Sequence, residues 1–289
     1  MHRPEAPPHK DAPSRVIDRA PAAFVVGLVA FLAVMWARSF GLPLGDSHEG
    51  RIIGQFALHV RNFWDLGPSA SSFGAVWEPF SDVPYTHHPP FLTWLHLAVS
   101  AVFGQGLWPL KAVSYLAGLA TVPAFVRVGR RLGFPTLPVV VATAVLVATP
   151  FWWVYGRLGL GFLPNLLMVG AIWRAAKRRS RRRATLAGLA TAVAVAASWP
   201  GVFLAPLLWL WLLRQRGLDR AARRMAVGMF VGAAVVVLWV LQGAGLGELV
   251  DHTGTRVGLD RTWGEFVGRQ WRFARGLLPW WYLVLAGPA

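Results

Sequence analysis

Gly45-Asp46-Ser47-His48-Glu49-Gly50-Arg51, read together with Tyr85-Thr86-His87-His88-Pro89-Pro90, decides how this chain is organised. Both stretches lie in one polar loop, from about Gly41 to His88, just after the first hydrophobic segment. The loop carries Asp46, Glu49, Asp65, Glu78 and Asp82, five of the chain's 13 carboxylates. It also carries His48, His59, His87 and His88, four of the 8 histidines, with His96 just beyond. From Val83 to Leu218 there is no carboxylate at all. Acids and imidazoles gathered in one place among greasy segments point to a site there.

The rest of the chain reads as membrane. Its 289 residues are 55% hydrophobic and only 15% charged, with a mean hydropathy of +0.46; water-soluble domains carry roughly 25% charged residues. The 16 Trp and 30 Gly fit membrane helices, where Trp marks interfaces and Gly permits close packing. The expected fold is all-α: a polytopic helical membrane protein with about eight transmembrane helices and two interfacial helices in the first outer loop. The chain has no cysteine, which excludes disulfide and thiolate chemistry. Its net charge of +16 first suggests nucleic acid. The basic residues come in short runs between hydrophobic segments, however, as the positive-inside rule requires, and no nucleic-acid partner is expected.

Residues 1–20 are polar and rich in Pro and charge, which predicts a disordered cytoplasmic tail ahead of a membrane domain over 21–289. Ala22 to Trp36 is apolar and is followed by no A-x-A-like cleavage site, so it reads as an uncleaved signal anchor with the outer loop, 41–106, beyond it. From Glu49 to Asp65, Ile52, Ile53, Phe56, Val60, Phe63 and Trp64 share one helical face, and Arg51, Gln55, Arg61 and Asn62 the other. Such a helix lies in the membrane interface. Phe91 to Phe103 follows Pro89-Pro90 and is too short for the roughly 20 residues of a span; it is the second interfacial helix.

That choice sets the topology. Leu107–Val128 then runs inward, Pro138–Tyr155 outward, Leu158–Trp173 inward, Thr185–Trp199 outward, Val202–Leu213 inward and Val227–Leu241 outward. This register puts 15 of the 29 Lys and Arg on inside loops, with the N-terminus cytoplasmic in the cell inner membrane. Residues 243–276 form a second outer loop with Glu248, Asp251, His252, Asp260 and Glu265 and five arginines. Leu277–Ala286 has the composition of a further span beginning at the end of the chain, so a fragment or shortened relative of a longer protein is expected.

A carboxylate on the outer face can act as general base toward an acceptor hydroxyl. If the donor is a sugar on a polyprenyl phosphate, the leaving phosphate needs only cations or hydrogen bonds. His87, His88, Lys111 and Arg157 fall at that same face in this topology. Each has a plainer reading. Asp46-x-x-Glu49 ahead of an amphipathic helix has the layout of an N-cap with an acidic N3 partner. His87-His88-Pro89-Pro90 can simply open a helix. Lys111 and Arg157 can snorkel to the interface. Asp and His can also ligate a divalent metal, but no ligand spacing here is diagnostic and no cofactor is expected.

The order of these features resembles the GT-C superfamily of membrane glycosyltransferases, and within it the protein O-mannosyltransferase and lipid A aminoarabinose transferase group. The resemblance rests on Asp46-Ser47-His48-Glu49 before an interfacial helix and on His88-Pro89-Pro90-Phe91-Leu92-Thr93-Trp94-Leu95 opening a second. Phe103-Gly104, Lys111, Gly129-Arg130-Arg131-Leu132-Gly133, Tyr155-Gly156-Arg157 and Gly188…Ser198-Trp199-Pro200-Gly201 extend it to roughly residues 22–240. It implies transfer of a sugar from a polyprenyl-phosphate donor to a lipid, glycan or protein acceptor on the outer face, with inversion. By the resemblance Asp46 matches the catalytic carboxylate, with Glu49 the second acid of the motif; His88 matches the residue that meets the donor phosphate, and Arg157 a basic residue lining the site. The chain departs from the family in having Ser47 inside the acidic motif and no acid in Leu158–Pro164. The alternative is a non-catalytic membrane component that binds polyprenyl lipids or joins an envelope complex. A transporter fits less well, because the spans contain almost no ionisable residues at mid-membrane depth.

Overall fold

The computed structural model describes residues 19–42, 44–45, 48–79, 84–85, 88–243, 245–247, 250 and 262–277, apart from a few side chains, among them those of His48 and Glu49. The expected tail, apart from Arg19 and Ala20, and the last apolar segment lie outside them.

Within them the chain is all-helical. The elements are α1 (Arg19–Ala37), α2 (His48–Leu66), α3 (Phe91–Phe103), α4 (Leu107–Leu132), α5 (Thr136–Ala148), α6 (Pro150–Tyr155), a 3₁₀ segment (Gly156–Gly161), α7 (Phe162–Lys177), α8 (Arg181–Ala197), α9 (Trp199–Arg216), α10 (Arg220–Gln242) and α11 (Trp263–Leu277). Two cores share the bundle. One joins α1, α2, α4 and α6 around Leu32, Trp36, Ile53, Leu110 and Trp152. The other joins α7 to α10 around Met168, Ile172, Leu212 and Met225.

The contacts order the helices end to end. Lys111, in the first turns of α4, meets the turn leaving α1. Trp36 near the end of α1 stacks on Trp152 of α6 with centroids 6.5 Å apart. Asn165 at the start of α7 bonds Ser198 between α8 and α9 at 2.9 Å. Trp239 near the end of α10 lies edge-on to Trp94 of α3, centroids 6.0 Å apart. All these groups share one end of the bundle. At the other, Arg216 of α9 donates to the Ala176 carbonyl of α7, and Arg181 and Arg220 open α8 and α10 side by side. The long helices therefore alternate in direction as the sequence predicts.

Three elements depart from expectation. Pro138–Tyr155 is not one helix: the chain bends by 70° between α5 and the segment beginning at Pro150. Pro150 cannot continue a helix and pushes Thr149 out of the helical region, to ψ 148°. Thr149 then caps α6 by accepting from the Trp152 N–H at 3.2 Å. The 3₁₀ segment delays α7 to Phe162 rather than Leu158. And the second outer loop contains α11, opened by a capping box in which Thr262 donates its N–H and hydroxyl to Glu265 at 3.0 and 2.9 Å. By length and composition three described helices can cross a membrane, α1, α4 and α10, or four with the bent α5–α6 pair; the eight spans expected are not shown.

Candidate functional site

The polar end is built on the loop between α1 and α4. Lys111 is buried, and its ammonium donates to the carbonyls of Ser39, Phe40 and Leu42 at 3.1, 3.3 and 2.5 Å. An ammonium has three N–H donors, so all of them are engaged. Ser39 is held further by the Tyr115 hydroxyl at 2.8 Å, and Phe40 packs edge-on against the same ring. The segment that leads to Asp46 is thus pinned to α4.

Where that segment turns into α2, backbone meets backbone. A Cβ on Gly50 would come 2.1 Å from the Gly45 carbonyl oxygen, so only glycine lets the turn close here. Asp46, Ser47 and His87 lie outside the described residues, as do the side chains of His48 and Glu49. The residues that bracket the acidic motif, Gly45 and Gly50, line a cleft of about 790 Å³ with Arg51, Gln55, Arg61 and Trp77.

Loop 67–79 closes this end because α2 and α3 supply donors to its backbone. Asn62, expected on the exposed face of α2, is buried and donates to the carbonyls of Val76 and Glu78, both at 3.2 Å. Trp94 donates to the Phe73 carbonyl at 3.2 Å. His59 is bonded through Nδ1 to the Val76 carbonyl at 3.1 Å, so Nδ1 carries the proton and Nε2 accepts from Gln55 at 3.3 Å. Burial holds the His59 pKa down at about 4, against the Val76 bond, which acts the other way. His96 is likewise pushed down to about 4 by burial, against the bond from Nδ1 to the Leu92 carbonyl at 2.8 Å, and stacks on Phe56 with centroids 4.4 Å apart. Both rings are neutral near pH 7 and act as fixed parts of the scaffold.

Among the described histidines of this end, His88 is the exposed one. Its Nδ1 lies 2.8 Å from the Tyr85 hydroxyl, and the two rings stack. Tyr85 contacts Trp77, centroids 5.1 Å apart, which ties His88 to the wall of the cleft. Arg157 sits in the 3₁₀ segment, half-buried. The preceding Gly156 carbonyl presses against Gly118 of α4, where a Cβ would come within 2.2 Å of it. The structure thus links His88 to the cleft, gives Lys111 a use other than direct phosphate contact, and leaves Arg157 outside the cleft lining. Among the described residues no three His, Asp or Glu converge as metal ligands. Sequence reasoning missed Asn62 and Tyr85; the hydroxyl placed three residues before His88 was the available signal for the second.

In this helical bundle two helices, α2 and α3, are strung between α1 and α4, and polar groups gather at that end. The crystal structure of ArnT from Cupriavidus metallidurans in the apo state matches this chain with 21% identity and a TM-score of 0.51, over 76% of this chain and 41% of that one. At this identity the two share a fold, and the chain spans about two fifths of ArnT's length. No protein-family model and no curated protein matches the chain.

Proposed function

We propose that this chain transfers a sugar from a polyprenyl-phosphate donor to an acceptor hydroxyl on the outer face of the cytoplasmic membrane, crossing that membrane about eight times. The observation that carries this reading is an apolar groove of about 630 Å³ between α3, α4, α7 and α8, which starts at Phe91 and Leu92 and runs past Leu116 and Ala120 to Leu189. It offers almost no polar surface, as a polyprenyl tail requires, and its upper end lies three residues from His88. The cleft beside Gly45 and Gly50 is at the same end and suits the sugar.

In this mechanism the Asp46 carboxylate accepts the proton of the acceptor hydroxyl. The acceptor oxygen forms a bond to the anomeric carbon from the face opposite the phosphate. The bond from that carbon to the phosphate oxygen breaks, its electrons leave with polyprenyl phosphate, and the configuration inverts. The His88 imidazole, held by the Tyr85 hydroxyl, acts as a donor to the phosphate. His87 and Arg157 add to the stabilisation of the leaving group. Glu49 supplies a second acid at the start of α2. Lys111 acts through the main chain by holding Ser39–Leu42. No metal or organic cofactor enters these steps, and the acceptor is a lipid, glycan or protein hydroxyl.

The test is release of free polyprenyl phosphate in proteoliposomes from a panel of polyprenyl-phosphate sugars. Wild type should release it from at least one donor, and Asp46→Asn should lose about 100-fold or more of that rate. Full activity of the variant removes Asp46 from the chemistry. A folded wild type that binds donor but turns none over supports the other reading, a polyprenyl-lipid-binding component, which the carboxylate-free stretch from Val83 to Leu218 favours.

A further inference from the structure

The opposite end of the bundle carries a second feature, independent of the transferase reading. Two adjoining cavities of about 390 and 480 Å³ open where α8 and α10 begin. Arg181, Arg220 and Arg223 line both; Arg179 joins them in the first, where Asp219 also lines the wall, and Arg224 in the second. Across Lys177–Arg183 and Arg214–Arg224 the chain has eleven basic residues and one acid, Asp219. That carboxylate is already engaged. One oxygen accepts from the N–H groups of Ala221 and Ala222 at 2.8 and 3.0 Å, and the other lies 4.0 Å from Arg216.

The helices make the imbalance worse. Gly188 of α8 lies against Arg224 and Gly228 of α10, and Val195 against Gly232, so the two run parallel with their N-termini adjacent. Helix N-termini carry partial positive charge and favour anions there. Asp219 caps α10 and Ser180 caps α8, so a single carboxylate stands against the Arg181, Arg182, Arg183, Arg220 and Arg223 of the two first turns. The basic residues of α7 and α9, by contrast, sit at C-termini, where they are favourable. Membrane topology accounts for the number of arginines at this end. It does not account for their facing one another across two cavities at the positive ends of two parallel helices, an arrangement that an anion would relieve.

The surface beside the cavities says what kind of anion. Val227, which lines the second cavity, is 55% exposed, and Phe230 and Val231 on the next turn of α10 are 76% and 47% exposed. A charged socket continuous with a bare apolar flank fits a molecule with a phosphate at one end and acyl chains at the other. Basic pockets between helices at the cytoplasmic side hold such headgroups, and arginine matches phosphate in a two-pronged way that lysine does not. We infer that the cavities at the start of α8 and α10 bind the phosphate headgroup of an anionic phospholipid from the adjacent leaflet, with its chains along α10.

The test uses the full chain, delipidated in neutral detergent. Thermal unfolding and lipid retention by native mass spectrometry are measured with phosphatidylglycerol, phosphatidylcholine or inorganic phosphate added. Phosphatidylglycerol should be retained and should raise the unfolding temperature; the other two should not. Arg220→Gln with Arg223→Gln should weaken that retention by about fivefold for each arginine. The charge-matched pair Arg178→Gln with Arg182→Gln, whose side chains line neither cavity, should leave it unchanged. Should the first pair not fold, Arg223→Gln alone is compared with Arg178→Gln alone. Equal effects of phosphatidylcholine, or equal losses in the two sets of variants, would overturn the site. Stabilisation by inorganic phosphate as large as by phosphatidylglycerol would overturn the lipid assignment.

Discussion

Lys111 illustrates what a single residue does at the polar end. A buried ammonium that satisfies three carbonyls fixes the turn that leaves α1. Lys111→Met keeps the length of the side chain and removes the donors. It should cost about 2 kcal/mol, the worth of hydrogen bonds to a charged group, measured as a lower unfolding temperature in detergent. In the folded fraction kcat should fall while the donor KM stays near wild type; a large rise in KM would instead put Lys111 in contact with the phosphate. The buried histidines give a pH dependence of definite sign. Their folded pKa values, about 4, lie below the unfolded 6.5, so the unfolded chain binds more protons in between. Stability should be full above about 6.5 and fall toward pH 4 by about 1.4 kcal/mol per pH unit for each histidine. His96→Phe should flatten the melting curve taken between pH 7.5 and 4.5, and an unchanged slope would clear His96 of this role. The helix that follows His88 was legible in the sequence from Pro89-Pro90. His59 and Asn62 were not, since helical periodicity tells which face a residue occupies but not that loop 67–79 returns over that face.

At the scale of elements, close backbone contact decides more than hydropathy does. Gly228 faces the Gly188 carbonyl so tightly that a Cβ would stand 2.1 Å from it. Gly228→Ala should therefore force α8 and α10 apart and cost about 1–3 kcal/mol, read as loss of thermal stability. Gly27→Ala in α1, which meets nothing within 4 Å, should be neutral or slightly stabilising. The positions of α2, α3 and α4 followed from amphipathic period, Pro89-Pro90 and apolar length. The break at Thr149-Pro150 was visible as an N-cap followed by Pro at N1, but the apolar composition on both sides hid it. The capping box Thr262-x-x-Glu265 announced α11 in the same way, inside a stretch whose charge made it look like plain loop.

For the whole molecule, alternation of helix direction puts the acidic loop at one end and the arginine runs at the other. The absence of cysteine from the chain makes this directly testable. Ser69→Cys and Leu218→Cys, both at exposed positions, should be labelled by a membrane-impermeant maleimide from opposite sides, Ser69→Cys from outside. Labelling from the same side would reverse the assignment of the spans between them. What the sequence alone determined was the helical membrane class, the order of the helices and their alternation, because apolar length and the placement of arginines are local properties summed along the chain. Only the tertiary structure decided that Lys111 serves the backbone, that His59 and His96 are locked neutral, and that two arginine-lined helix ends stand side by side. Those facts depend on which distant segments touch, and in a bundle packed through small residues nothing in the local pattern records the partner.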